Sequence, residues 1–172
     1  MHWRAFPLHP ETPPEGRSLE ALFAGRPVDI PAMLSRLKQA ADDLGLPFGE
    51  RHMTYNSRRA QELGKWADRK GLGHAFHKAV FHAYFAKGRN IARLEVLTDI
   101  VQSVGGDPEE ARSVIQMARY KETVDHDWER SRRIGITAVP TFVLNERHLV
   151  GAHPYRDLTR FVAAGERFSP AG

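Results

Sequence analysis

Apolar and polar residues alternate along Trp3-Arg4-Ala5-Phe6-Pro7-Leu8, the period of a half-buried strand, and the alternation predicts an opening strand. It ends where Pro10, Pro13 and Pro14 restrict the chain to extended or turning backbone. Beyond Gly16 the period lengthens. Ser18 is placed to cap a short helix through Phe23 that Gly25 closes. Ile30, Met33, Leu34, Leu37, Ala41 and Leu44 then recur at helical spacing, with Pro31 in the first turn and Gly45 as the stop, predicting an amphipathic helix. Asn56 is predicted to cap a helix to about Lys70, ended by Gly71. From Gly73 to Lys87 the stripe Phe76, Ala79, Val80, Ala83 and Tyr84 is joined by Phe81 and Phe85 outside it, so this helix is expected to be buried between other elements. Further helices are predicted from Ile91 to Val104, from Pro108 behind an Asp107 cap, and from Lys121 to Arg133. Period two returns at Thr141-Phe142-Val143-Leu144, followed by a polar turn, a second run from His148 to His153 and a helix near Tyr155 to Ala164.

This order, strand, six helices, hairpin and helix, indicates an α/β domain with a helical insertion, in which chain-distant strands meet in one sheet. A length of 172 residues suits a single domain, 1–172, with the insertion over 17–134 and the hairpin and terminal helix over 136–165.

No stretch reaches the roughly 20 apolar residues of a membrane span, so no membrane partner is expected. Met1-His2-Trp3-Arg4 does not start a secretory leader, and a cytoplasmic location is the expectation. The net charge of +4 includes clusters at Arg58-Arg59 and Arg130-Ser131-Arg132-Arg133. They lack interleaved aromatics, so solvated helix faces rather than a nucleic-acid surface are expected. The chain contains no cysteine. Disulfides, thiolate metal sites and thiol redox chemistry are thereby excluded for this polypeptide alone.

Few residues invite a chemical role. His74 with His77, and Asp125 with His126 and Asp127, have the spacing of helix-face ligands but no third convergent partner, so no metal site is expected. Trp3, Trp66 and Trp128 suit packing anchors. There is no Gly-rich phosphate loop, nucleophile elbow or His-Glu-x-x-His motif.

Ala138-Val139-Pro140-Thr141-Phe142-Val143 with Gly151-Ala152-His153-Pro154-Tyr155 resembles the end of the DsbA-like thioredoxin family, which includes FrnE-like dithiol oxidoreductases and 2-hydroxychromene-2-carboxylate isomerases. Trp3 to Pro10 with Pro13-Pro14-Glu15-Gly16 resembles the FrnE-like segment that follows the active-site helix. Asn56-Ser57-Arg58-Arg59-Ala60, Ala83-Tyr84-Phe85 and Gly88-Arg89-Asn90-Ile91 resemble its insertion helices.

The resemblance implies a thioredoxin-like mixed sheet, N-terminally incomplete, because Met1 falls where the family's second strand begins. The first strand and the helix carrying Cys-x-x-Cys, or serine in the isomerases, have no counterpart, and a shortened reading of a longer gene is expected. The resemblance further implies a cis Val139–Pro140 bond. Val139 and Pro140 would align an extended peptide or the γ-glutamyl arm of glutathione as an added strand, and Asn56 can face the same cleft beside its capping role. His153 stands where glutamine is common and reads as a polar strand-end residue. No catalytic residue and no cofactor are expected apart from glutathione as a ligand. The empty central slot would leave amides and carbonyls unpaired, so a homodimer is expected, through Trp3 to Leu8 or Thr141 to Leu144. Three functional readings follow: a dithiol-disulfide oxidoreductase relative lacking its nucleophile and inactive alone, a glutathione-dependent isomerase relative, or a non-catalytic binding or dimerisation module.

Overall fold

The structure, a computed structural model, describes residues 2–166. They fall into two compact units: His9–His126, and the residues up to Leu8 together with those from Asp127 onward.

In the larger unit, β1 (Arg17–Ser18) pairs antiparallel with β2 (Met53–Thr54), in register Arg17 with Thr54 and Ser18 with Met53. The Ser18 hydroxyl accepts the Ala21 amide at 3.1 Å and starts α1 (Leu19–Leu22). Asp29 likewise accepts Ala32 N at 2.9 Å to open α2 (Ile30–Asp43), with Pro31 in its first turn. The chain continues through α3 (Arg58–Arg69), α4 (Gly73–Phe81), a π-helical turn (His82–Ala86), α5 (Leu94–Ser103), α6 (Pro108–Gln116) and α7 (Lys121–Arg133). The Gly71 stop, at φ +73°, takes a left-handed conformation that costs glycine little.

The core of this unit lies among α3 to α6. Leu63, Trp66 and Ala67 of α3 pack with Phe76 and Val80 of α4, Leu97, Ile100 and Val101 of α5, and Ala111 and Val114 of α6. Each set recurs at three- or four-residue steps, which places it on one face of its helix. Two expectations fail here. Phe81 is 48% exposed, because α4 buries only the stripe through Phe76 and Val80. The α2 helix forms as its pattern predicts, but none of its residues is buried, and Leu37 and Leu44 are 43% and 73% exposed.

In the smaller unit the expected opening strand is corrected: Trp3 to Leu8 joins no ladder. Alternation creates a strand only where a neighbour supplies the facing backbone groups. Here the Ala5 amide donates to Asp127 Oδ2 at 2.9 Å and Arg4 Nη1 to Oδ1 at 3.1 Å. The chain-distant strand pair is β1 with β2 instead. The hairpin is present: β3 (Thr141–Leu144) pairs antiparallel with β4 (Arg147–Val150) from Thr141↔Val150 to Leu144↔Arg147. Asn145 turns it at φ +55°, a conformation asparagine tolerates well. Helix α8 (Tyr155–Glu166) packs on the hairpin, with Gly165 against Leu144 and the Arg147 guanidinium over the Phe161 ring at 5.4 Å. The architecture is a mixed α/β thioredoxin-like core with small antiparallel sheets and a large helical insertion.

Candidate functional site

The lead-in to β3 is built from short local bonds. Thr141 Oγ1 donates to Ala138 O at 2.7 Å, and Gly151 N donates to Pro140 O at 2.8 Å, which ties the loop to the end of β4. The Val139–Pro140 bond is cis. Val139 is 44% exposed, and its own N–H and C=O have no partner among the described residues. β3 is laddered only to β4, so its other edge is unpaired. The His153 ring donates through Nε2–H to Val150 O at 2.9 Å, a local strand-end role.

Asn56 belongs to the larger unit. Its Nδ2 donates to Thr12 O at 2.8 Å and Pro10 O at 3.1 Å, while Oδ1 accepts Arg58 N at 2.8 Å. The N-cap position is held by Ser57, whose side chain makes no cap bond, so Asn56 caps α3 from one residue earlier. Both amide hydrogens are committed to main-chain carbonyls.

Two further groups have no short-range sequence signature. Arg58 donates from Nε to Glu62 at 2.7 Å, from Nη1 to Asp125 at 2.7 Å and from Nη2 to Lys121 O at 2.8 Å, bracing α3 against the start of α7. Burial alone would pull its pKa down; the bonds to Asp125 and Glu62 outweigh it, and the guanidinium is held above its ordinary value. Arg51 lies 4.7 Å from the Tyr84 ring centre and 4.8 Å from that of Phe85, and its Nη2 donates to Tyr84 Oη at 2.8 Å. Thr54 Oγ1 meets the same hydroxyl at 3.0 Å. A cavity of about 140 Å³ opens beside this cluster, lined by Glu50, Arg51, His52, Met53, Tyr55, Tyr84 and Gly88. Their contacts join residues thirty or more positions apart, beyond the reach of any motif.

The metal-ligand pairs weighed in the sequence have other partners. Asp125 is held by Arg58, and Asp127 by Arg4 and the Ala5 amide. His77 lies 3.8 Å from Asp68. Among the described residues no group of three or more His, Asp or Glu side chains is placed to hold a metal ion. No helix among them is long and apolar enough to cross a membrane.

These features define a thioredoxin-like domain without a sulfur nucleophile of its own. The chain belongs to the DSBA-like thioredoxin domain family, which matches residues 1–163. Its fold is similar to a probable DsbA oxidoreductase from Streptomyces coelicolor, with a TM-score of 0.89 and 24% identity, over 98% of this chain and 76% of that one. It also resembles a 2-hydroxychromene-2-carboxylate isomerase, with a TM-score of 0.66 and 20% identity over 80% of this chain and 66% of the other. The uncharacterized protein YwbO of Bacillus subtilis is 31% identical over 84 residues, which are 46% of this chain and 40% of YwbO. The match thus spans less than half the length of that relative. Family membership corrects the cytoplasmic expectation, since DsbA-type proteins of this kind are characteristically periplasmic or secreted.

Proposed function

We propose that this chain acts as a FrnE-type member of the family that holds an extended peptide or glutathione-like ligand along β3 and supplies no redox nucleophile itself. The observation that carries the proposal is the exposed Val139 backbone beside an unpaired β3 edge, in a family member with no cysteine. An added strand needs a donor and an acceptor on a free edge, and Val139 offers both. The thiolate that would attack a substrate disulfide has no source within the chain, so dithiol exchange depends on a thiol from another molecule. The Trp3 to Gly16 segment favours the FrnE-like branch over the isomerase branch. Asn56 enters only as a positioning group, because its bonds to Pro10, Thr12 and Arg58 occupy it. The same proposal keeps the chain a homodimer, but the opening segment is not its seam, since Asp127 already engages Arg4 and Ala5.

Amide NMR titration with glutathione and with an unstructured peptide tests the ligand. Shifts centred on Ala138, Val139 and Thr141 are expected, together with no insulin reduction by the purified chain. Saturating ligand that leaves these amides unmoved, or thiol-dependent turnover that co-purifies with the chain and is lost in Pro140→Ala, would overturn the reading.

A further inference from the structure

Helix α2 satisfies its local requirements and lacks a packing partner. It is capped by Asp29 and carries Ile30, Met33, Leu34, Leu37, Ala41 and Leu44 along one side, yet buries none of its 14 residues. A helix of this length is marginal in water on propensity alone, and helices in proteins draw most of their stability from a covered apolar face. The stripe also has the spacing of a short heptad seam, with Ile30, Leu37 and Leu44 seven residues apart.

The charges flanking the stripe specify what covers it. At about 100° per residue, Arg36 and Asp43 fall on one flank, and Lys38 and Asp42 on the other. Arg36 has no hydrogen-bond or ion-pair partner among the described residues, whereas Lys38 already bonds Asp42 at 2.8 Å within the helix. In an antiparallel pair related by a two-fold axis, each flank meets its own copy. Arg36 then faces Asp43 of the other copy, and Lys38 faces its Asp42. Both matches require the axis to pass between Gln39 and Ala40, so one placement satisfies both flanks. The same placement inserts Leu44 between Leu34 and Leu37 of the opposing helix. A parallel pair would set the two flanks against each other, Arg36 beside Lys38 and Asp42 beside Asp43, and like charges would repel on both sides.

We infer that the α2 face is a self-association surface on which a second copy of this chain packs antiparallel through Met33, Leu34, Leu37, Ala41 and Leu44. The partner is set by the two-fold complementarity of Arg36 with Asp43 and Lys38 with Asp42. This surface is independent of the β3 ligand reading, and either can fail without the other.

Sedimentation equilibrium across the micromolar range tests it, with circular dichroism to confirm that each variant is folded. The wild type is expected to move from 19.4 kDa toward about twice that mass as concentration rises. Arg36→Asp is expected to weaken the dimer by about tenfold or more, and Arg36→Asp with Asp43→Arg to restore it. Because the chain has no cysteine, a single introduced thiol reports cleanly. Exposed Ala40, beside the axis, is expected to form a disulfide dimer as Ala40→Cys, while Ser35→Cys on the far side stays monomeric under the same oxidation. A wild type that remains at 19.4 kDa, a dimer indifferent to Arg36→Asp, or Ser35→Cys crosslinking as readily as Ala40→Cys would overturn the inference.

Discussion

At Asn56 two functions of one side chain separate under substitution. A residue that only caps α3 tolerates aspartate, among the best caps. Asn56 also donates to Pro10 O and Thr12 O, bonds that aspartate cannot make, and its carboxylate would face two carbonyl oxygens. Asn56→Ala is therefore expected to cost about 1–3 kcal/mol, and Asn56→Asp at least as much. Urea denaturation measures both, and an Asn56→Asp midpoint equal to wild type would reduce the residue to a cap. The sequence makes a helix start legible here because capping is local. The carbonyls of Pro10 and Thr12, more than forty positions away, leave no trace in the pattern around Asn56. Gly71 was legible for the opposite reason, since its conformation answers to its own backbone.

Packing between elements decides the effect of Gly165→Ala. In the middle of an exposed helix this change gains roughly 1 kcal/mol in propensity. On α8 the new methyl group would run into the Leu144 side chain of β3. Overpacking of this kind costs about 1–3 kcal/mol, so the net effect is expected to be destabilising, and Leu144→Ala in the same chain should recover part of the loss. Thermal unfolding of the two single variants and the double variant checks this, and a Gly165→Ala protein with a raised Tm would show that α8 stands off the hairpin. Helices and hairpin were readable because each follows its own period and stop signals. The failures are partner problems: Trp3 to Leu8 alternates like a strand but finds no ladder, and α2 has a stripe that its own chain does not bury. The β1–β2 pair is two residues long on each side, too short to impose a period.

For the whole molecule, acid should act in two stages. Burial pushes the His77 pKa below its ordinary 6.5 against the opposing pull of Asp68, so the unfolded chain takes up that proton first. The resulting stability is complete above about pH 6.5 and falls as pH drops below it. Asp125, held low chiefly by Arg58, and Glu110, held low by Lys70 and then Trp66, contribute stability that is present above the ordinary carboxylate range and lost as pH falls through their folded values. Urea midpoints followed from neutral to acid pH should decline first through the histidine window and more steeply through the carboxylate one. His77→Gln should flatten only the upper window; an unchanged slope there would remove His77 from the account. Neither the His77 pairing nor the Arg58 brace to Asp125 was legible in sequence, because each depends on how one helix lies against another.

The turn from His82 to Ala86 has a consequence for the counting of residues along the chain. Lys87 N closes back to His82 O at 3.2 Å, five residues away, so the turn holds one residue more than an α-helical turn would. It therefore behaves as an insertion absorbed without a loop. Removing one residue between His82 and Ala86 would let α4 wind on as an ordinary helix, at little cost to its own hydrogen bonds. Everything after the cut would rotate by about 100° relative to what precedes it. Gly49, whose amide donates to Phe85 O at 2.9 Å, would lose its acceptor, and Tyr84 would no longer be presented to Arg51 and Thr54. A relative of this chain shortened by one residue at this place would have an intact helix and a different cavity.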